Sequence, residues 1–250
     1  MTSSILYAGD TSLKTAAAYL AGVLHSADIS FDYIPSAERF QNKFLAEYKL
    51  IILSDYPSVN FKPAQLASIA SLVKQGTGLL MIGGWESFTG SGGGYNDTIL
   101  CEVLPVTMQR NDDRVNSACP CLIEKACEHP ILDSLPWTVS TPAIAGYNRF
   151  SAKSSALPLL FARRFNVSRS ATGFDFKPAP KDPLLVAGTY GSGRVVAYAG
   201  DLAPHWVGGF ADWGQTRINV CAPNADPVEI GTDYAQFVTQ LVKWTANLNS

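Results

Sequence analysis

The chain has 250 residues, with 19 Lys plus Arg, 21 Asp plus Glu and 3 His, for a formal net charge of −2. At 47% hydrophobic and 16% charged residues it is not a disordered chain, which needs low hydrophobicity and high net charge. It also lacks the basic surplus of a dedicated nucleic-acid binder. No run approaches the roughly 18 consecutive apolar residues of a membrane helix, and Met1–Gly9 has neither the basic nor the long apolar region of a targeting signal.

The N-terminal half alternates two periodicities. Ile5–Ala8 is a short apolar run ending at Gly9-Asp10. Leu13–Ala27 follows, with Ala17, Leu20, Ala21 and Leu24 at helical spacing. Ile29–Ile34 alternates as a strand, and Ala37–Leu45 reads as a short amphipathic helix. Leu50–Leu53 is a strand apolar on both faces, ending at Ser54-Asp55. Pro63–Lys74 is a helix with Leu66, Ile69, Ala70 and Val73 on one side, and Leu79–Ile82 is another apolar strand, ending at Gly83-Gly84.

Strands without a polar face belong inside a parallel sheet covered by helices. The order therefore predicts an α/β fold with a doubly wound, mostly parallel sheet. Ligands of such sheets bind beyond the carboxyl ends of the strands, here Asp10, Asp55 and the Gly83-Gly84-Trp85 corner. The middle, about Cys101–Pro183, reads as less regular. Leu184–Ala187 and Arg194–Ala197 then flank Tyr190-Gly191-Ser192-Gly193 as a β-hairpin, and a last helix is expected over about Thr232–Ala246. With no repeat, low-complexity tract or long linker, one domain over 1–250 is the simplest organisation.

At this point four segments resemble the class I glutamine amidotransferase-like family, which has a flavodoxin-like fold. They are Gly83-Gly84-Trp85-Glu86-Ser87-Phe88 with Gly92–Tyr95 and Leu104-Pro105-Val106; Asp112-Asp113-Arg114 with His129-Pro130-Ile131-Leu132; Gly146-Tyr147-Asn148; and Tyr190–Val195 with Asp201-Leu202-Ala203-Pro204-His205-Trp206. The resemblance implies a cysteine nucleophile on a strained strand-to-helix elbow, activated by a His and a Glu later in the chain. In this sequence Gly84 or Trp85 stands where that cysteine belongs, and Cys101 lies well past the glycine loop. Glutamine hydrolysis needs a thiolate, so the expectation is a degenerate site without glutaminase activity. A trehalose-utilisation-like branch of the same superfamily also lacks the cysteine, which by analogy keeps a sugar-linked enzyme open.

Each candidate site has a plainer alternative. Ser87 is a weak nucleophile candidate, because it lacks the glycines of a nucleophile elbow. Gly90–Tyr95 is either a backbone cradle for an anion or sugar hydroxyls, or permissive loop backbone. Asp201 and His205 are either an acid/base pair or half of a metal site, or a turn cap and a histidine bonded beside Trp206. Cys119, Cys121, Cys127 and His129 put four soft ligands within eleven residues, but with spacing wrong for a zinc knuckle. Asp10 and Asp55 look like caps of the following helices. Trp206 and Trp213 either stack on a ligand, plug a loop onto the core or form a subunit interface.

The five cysteines are odd in number, so they read as reduced thiols in a cytoplasm. Two glycosylation sequons, Asn96-Asp97-Thr98 and Asn166-Val167-Ser168, are then chance matches. The expected ligand-binding set is Gly83, Gly84, Trp85, Glu86, Ser87, Tyr95, His205 and Trp206. It would serve a small molecule, with no cofactor, metal, nucleic acid or membrane. A homo-oligomer or a structural subunit of an assembly stays open.

Overall fold

The computed structural model describes residues 4–41 and 45–248. Its N-terminal part runs β1 (Ile5–Gly9), α1 (Ala17–Ser26), β2 (Phe31–Ile34), β3 (Leu50–Ser54), α2 (Pro63–Gln75) and β4 (Gly78–Ile82). The middle contains the one-turn helix α3 (Leu100–Val103), β5 (Val106–Met108), β6 (Arg114–Lys125), β7 (Ala143–Asn148), β8 (Phe150–Ala152), β9 (Leu157–Ser170), β10 (Gly173–Tyr190) and β11 (Gly193–Tyr198). The chain then passes through α4 (Pro204–Val207), β12 (Arg217–Val220), β13 (Val228–Gly231) and α5 (Thr232–Thr245).

Nine strands form one sheet in the order β2-β1-β3-β4-β11-β10-β9-β6-β7. The first five are mutually parallel, and β10, β9, β6 and β7 continue the sheet antiparallel. Every residue of β1, β3 and β4 is buried, as a strand covered on both sides requires. α1 packs beside α5, and α2 packs with α3 and lies against β11. The architecture is thus the α/β sheet read from the sequence, with its β10–β11 hairpin.

Two readings are corrected. Ala37–Leu45 is not a helix within the described residues: Ala37 sits in a turn after Pro35, and Leu45–Glu47 is a single 3-10 turn. Residues 42–44 lie outside the described residues. The carbonyls a helix would need are taken by side chains from elsewhere, Asn60 bonding Ser36 O at 2.7 Å and Gln65 bonding Phe40 O at 3.1 Å. Phe40 itself is pinned on Phe61, with ring centroids 4.6 Å apart. The middle is also more regular than its sequence, because β6, β9 and β10 are long antiparallel strands. Their alternation is hidden by register shifts between Pro178 and Lys181 and around Pro183–Val186. In addition, part of their length is exposed on both faces.

Candidate functional site

β1 hands the chain to β2 on one side and pairs with β3 on the other, the reversal that opens a crevice at the carboxyl ends of a doubly wound sheet. A cleft of about 530 Å³ lies there, lined by Asp55, Trp85, Glu86, Ser91, Gly92 and His205. Three segments distant in sequence hold the corner after β4.

Asp55 sits in the left-handed backbone region (φ 47°). Its carboxylate accepts from the amides of Glu86 and Trp85. A Cβ on Gly84 would lie 2.5 Å from Asp55 Oδ1, so only glycine lets that carboxylate approach. Ser87 Oγ accepts from the Asp55 amide at 2.9 Å and donates to Ile82 O at 2.6 Å.

From the other side, Asn148 Oδ1 accepts from Gly84 N at 2.9 Å, and its Nδ2 donates to Gly84 O at 3.1 Å and to Asp113 Oδ1 at 2.7 Å. Asp113 also accepts from Thr89 N and Gly90 N at 3.0 and 2.9 Å. Asn148 and Asp113 are buried, so these bonds are shielded from water. The indole of Trp85 stands half-exposed at the rim, with the Arg114 guanidinium 4.5 Å from its ring centroid. Arg114 is held by both carboxylate oxygens of Asp112.

The corner is no nucleophile elbow. Next to it the left-handed non-glycine residues are Asp55 and Phe88, not Trp85. No α-helix follows until α3, so the strand-turn-helix that presents a nucleophile is not formed.

Buried acid lies behind the site. His205, whose side chain is 54% exposed, places Nε2 3.1 Å from Oδ2 of the fully buried Asp201. That is ion-pair distance, but the alignment of a hydrogen bond is lacking, and Oδ2 has no other partner. The other Asp201 oxygen accepts from Ala203 N at 2.9 Å. Asp10 is buried too. It accepts from Tyr7 Oη at 2.5 Å, and its Oδ1 is unpartnered.

Burial, followed by the charge of Asp10, holds the Asp201 carboxyl well above the ordinary range. Burial likewise pushes Asp10 up to about 7, with the Tyr7 hydrogen bond pulling the other way and the Asp55 charge adding to the rise. Asp55 is raised by burial, against the amide bonds it receives and the nearby His205. Glu86 is raised by burial and then by Asp55. One imidazole therefore lines a cleft with two carboxyl groups, Asp55 and Glu86, and the buried Asp201 lies behind it.

Several expectations are corrected by these contacts. Asp10 and Asp55 do not cap the helices that follow them, because their carboxylates are spent on Tyr7 and on the Trp85–Glu86 corner. The glycine loop offers no anion cradle. Its amides at Gly90, Ser91, Gly92, Gly94 and Tyr95 already donate to Asp113, Trp85 O, Thr89 O and Phe88 O.

Ser87 lies behind the corner, with its hydroxyl doubly engaged. Tyr95 is buried and donates to Tyr56 O at 2.6 Å. Trp206 is also buried. It donates to Asn116 Oδ1 at 2.7 Å and lies over Gly146, where a Cβ would come within 1.9 Å of its ring nitrogen. Trp213 donates to Ser140 O at 2.6 Å and stacks on Phe210. Both indole N–H groups are thus used inside the fold.

Of the expected set, Trp85, Glu86 and His205 therefore meet at the cleft. Gly84 lies in the corner beside it, and Gly83, Ser87, Tyr95 and Trp206 stand behind its lining.

The cysteine group is not assembled either. Cys119 Sγ faces Phe165 O, Cys127 Sγ faces Pro158 O, and His129 accepts from Ile131 N with its ring against Trp244. Among the described residues no three His, Cys, Asp or Glu side chains are placed to hold a metal ion. No thiol lines the cleft. The sequence reading missed Asp113, Asn148 and Arg114 as parts of the site. All three stood in the quoted segments, but nothing local says that they converge on Gly84 and Trp85.

No functionally curated protein matches the chain. Among solved structures, a cytoplasmic protein from Salmonella typhimurium is 26% identical at a TM-score of 0.74, over 97% of this chain and 98% of that one. A second cytoplasmic protein, from Salmonella typhimurium LT2, is 32% identical at 0.65, over 81% and 89%. A cold-adapted β-galactosidase from Rahnella sp. R3 shares the fold alone, at 12% identity and 0.55, over 97% of this chain and 31% of that one. No helix among the described residues is long and apolar enough to cross a membrane. The family described as "Putative glutamine amidotransferase" matches residues 7–221, and with its doubly wound sheet and crevice at the β4 corner the chain belongs to this glutamine amidotransferase-like family.

Proposed function

We propose that this protein is a small-molecule-binding member of its family without glutaminase activity, and that its cleft takes a neutral or cationic polar ligand. One observation carries the reading. The β4 corner is fixed by Asp55, Asn148 and Asp113 around an indole rather than a thiol, yet it opens onto a furnished cleft. Glu86 and Asp55 would accept ligand N–H or O–H groups, Trp85 would give an aromatic face, and His205 would add a hydrogen bond. Asp55 and Glu86 would supply the negative potential of the cleft, which disfavours anions. Reduced thiols and the cytoplasmic label of the two Salmonella relatives support a cytoplasmic location.

A second reading rests on the 3.1 Å approach of His205 to Asp201. In it His205 acts as a general base on water in a hydrolase, oriented by Asp201, and turnover in a screen of hydrolase substrates would vanish in His205→Ala.

The test combines an ammonia-release assay on glutamine with titrations followed by tryptophan emission. Glucosamine serves as the cationic polyol probe and glucose 6-phosphate as the anionic one. The expected result is no ammonia, binding of glucosamine in preference to the phosphate, and about tenfold weaker binding in His205→Ala and Glu86→Gln, the scale of one lost hydrogen bond. Ammonia release abolished by Cys101→Ala overturns the reading.

A further inference from the structure

β9 shares its last pair with β6 at Leu122–Arg163, and β10 joins β11 only from Leu185 onward. Beyond those points the two strands run on as a free ribbon that turns at Ala171-Thr172. Its register pairs Phe165 with Pro178, Val167 with Phe176 and Arg169 with Phe174. Asn166 pairs with Lys177, Ser168 with Asp175 and Ser170 with Gly173. Residues directly opposite share a face and neighbours along a strand alternate. One face is therefore Phe165, Val167, Phe174, Phe176 and Pro178 with Arg169, and the other is polar throughout.

The apolar face lies open to solvent. Phe174 is 67% exposed, Phe176 61% and Val167 42%. A two-stranded ribbon is marginal alone in water, and an apolar one with free edges is a template for association.

We infer that this ribbon is an association arm whose apolar face docks on a second copy of this chain. Size favours a copy over a foreign partner. An aromatic side chain offers roughly 150–250 Å², so the partly exposed face supplies about 400 Å² of its own. One such contact buries about 800 Å² over both sides, no more than a lattice contact, whereas a two-fold dimer in which each arm engages the other body doubles this to the size of a stable interface.

Charge selects the body of the copy rather than its arm. Beyond Arg163 the ribbon carries Arg164, Arg169, Lys177 and Lys181 against Asp175 and Asp182, a net +2. With the whole chain at −2, the remainder stands at −4. Two arms would repel each other, and each is drawn to the other body. Arg169 and Lys177, toward the tip, make no ion pair among the described residues.

Sedimentation equilibrium of the full chain across micromolar concentrations tests this, beside the double variant Phe174→Asp/Phe176→Asp. Both side chains are exposed, so the variant keeps the wild-type melting temperature. The expected result is a wild-type dimer that weakens with added salt, and a variant whose dissociation constant rises at least ~100-fold, as for two hot-spot aromatics. The double variant Arg169→Glu/Lys177→Glu would weaken the dimer as well. A wild type that stays monomeric, a dimer indifferent to the Phe substitutions, or a monomer whose arm instead binds lipid vesicles would each overturn the proposal.

Discussion

Replacing Asn148 by Ala should be the most damaging single change at the cleft that leaves every lining residue in place. The amide makes three bonds in a fully buried site: from Gly84 N at 2.9 Å, to Gly84 O at 3.1 Å and to Asp113 Oδ1 at 2.7 Å. Alanine strands both polar groups of Gly84 where water does not reach them and leaves Asp113 Oδ1 with Gly90 N alone. Each orphaned group costs about 1–3 kcal/mol, so a loss near 4 kcal/mol is expected. For a chain of this size that lowers the melting temperature by roughly 8–16 °C.

Urea unfolding reads the change as a shifted midpoint at unchanged slope. The companion Asn148→Asp separates bonding from volume. It keeps the shape but turns the Nδ2 donor into an oxygen facing Asp113, so its deficit should be largest at neutral pH and shrink in acid. A loss below about 1 kcal/mol for the alanine variant, or a pH-independent deficit for the aspartate, would refute the claim that these bonds hold the corner.

Two further outcomes follow from buried groups. Asp10, pushed up to about 7 from 3.8, binds its proton more tightly folded than unfolded. Its contribution is therefore fully present below pH 4 and is lost as pH rises toward 7. Asp10→Asn should stabilise the protein at pH 8 by up to about 4 kcal/mol, at 1.36 kcal/mol per pH unit, and make no comparable difference at pH 4. Parallel urea-midpoint curves for the two proteins would contradict it. Gly146→Ala puts a methyl within 1.9 Å of the Trp206 ring nitrogen. The indole must leave Asn116, so a red-shifted tryptophan emission and a loss of about 1–3 kcal/mol should appear together. An unchanged emission maximum would mean that the contact yields freely.

The fold was legible where burial writes a simple pattern. β1, β3 and β4 are buried on both faces, and their unbroken apolar runs name a parallel sheet without further help. Legibility failed where structure is made by contacts distant in sequence. Ala37–Leu45 has helical spacing, but Asn60 and Gln65 take its carbonyls. β9 and β10 change register between Pro178 and Lys181 and around Pro183–Val186, which interrupts the alternation of their full length. At the site, strand ends pointed to the right corner, and Trp85, Glu86 and His205 do meet there. Asp10 and Asp55 were misread as caps because a carboxylate after a strand looks alike whether it bonds the next helix, a tyrosine three residues back or a neighbouring loop. Only the closed sheet decides.

The segments that carry the family resemblance converge in space, and their convergence explains most of them without chemistry. Gly84 is small because Asp55 lies against it, Asn148 grips both polar groups of Gly84, and Asp113 ties Asn148 to the amides of Thr89 and Gly90. Gly146 is bare because Trp206 covers it, and Trp206 shares the single turn of α4 with His205. Family-like sequence in this chain is thus mainly the means of fixing one corner and one short helix on opposite sides of a cleft. What remains unexplained by fixing is the unpartnered acid beneath it. Burial holds both Asp10 and Asp201 above the ordinary carboxylate range, with Asp55 adding to the first and Asp10 to the second, a standing penalty that packing alone would have removed with an amide or a leucine. The penalty sits behind the cleft, where Asp201 Oδ2 lies 3.1 Å from His205 Nε2, so it bears on the one imidazole that lines the crevice.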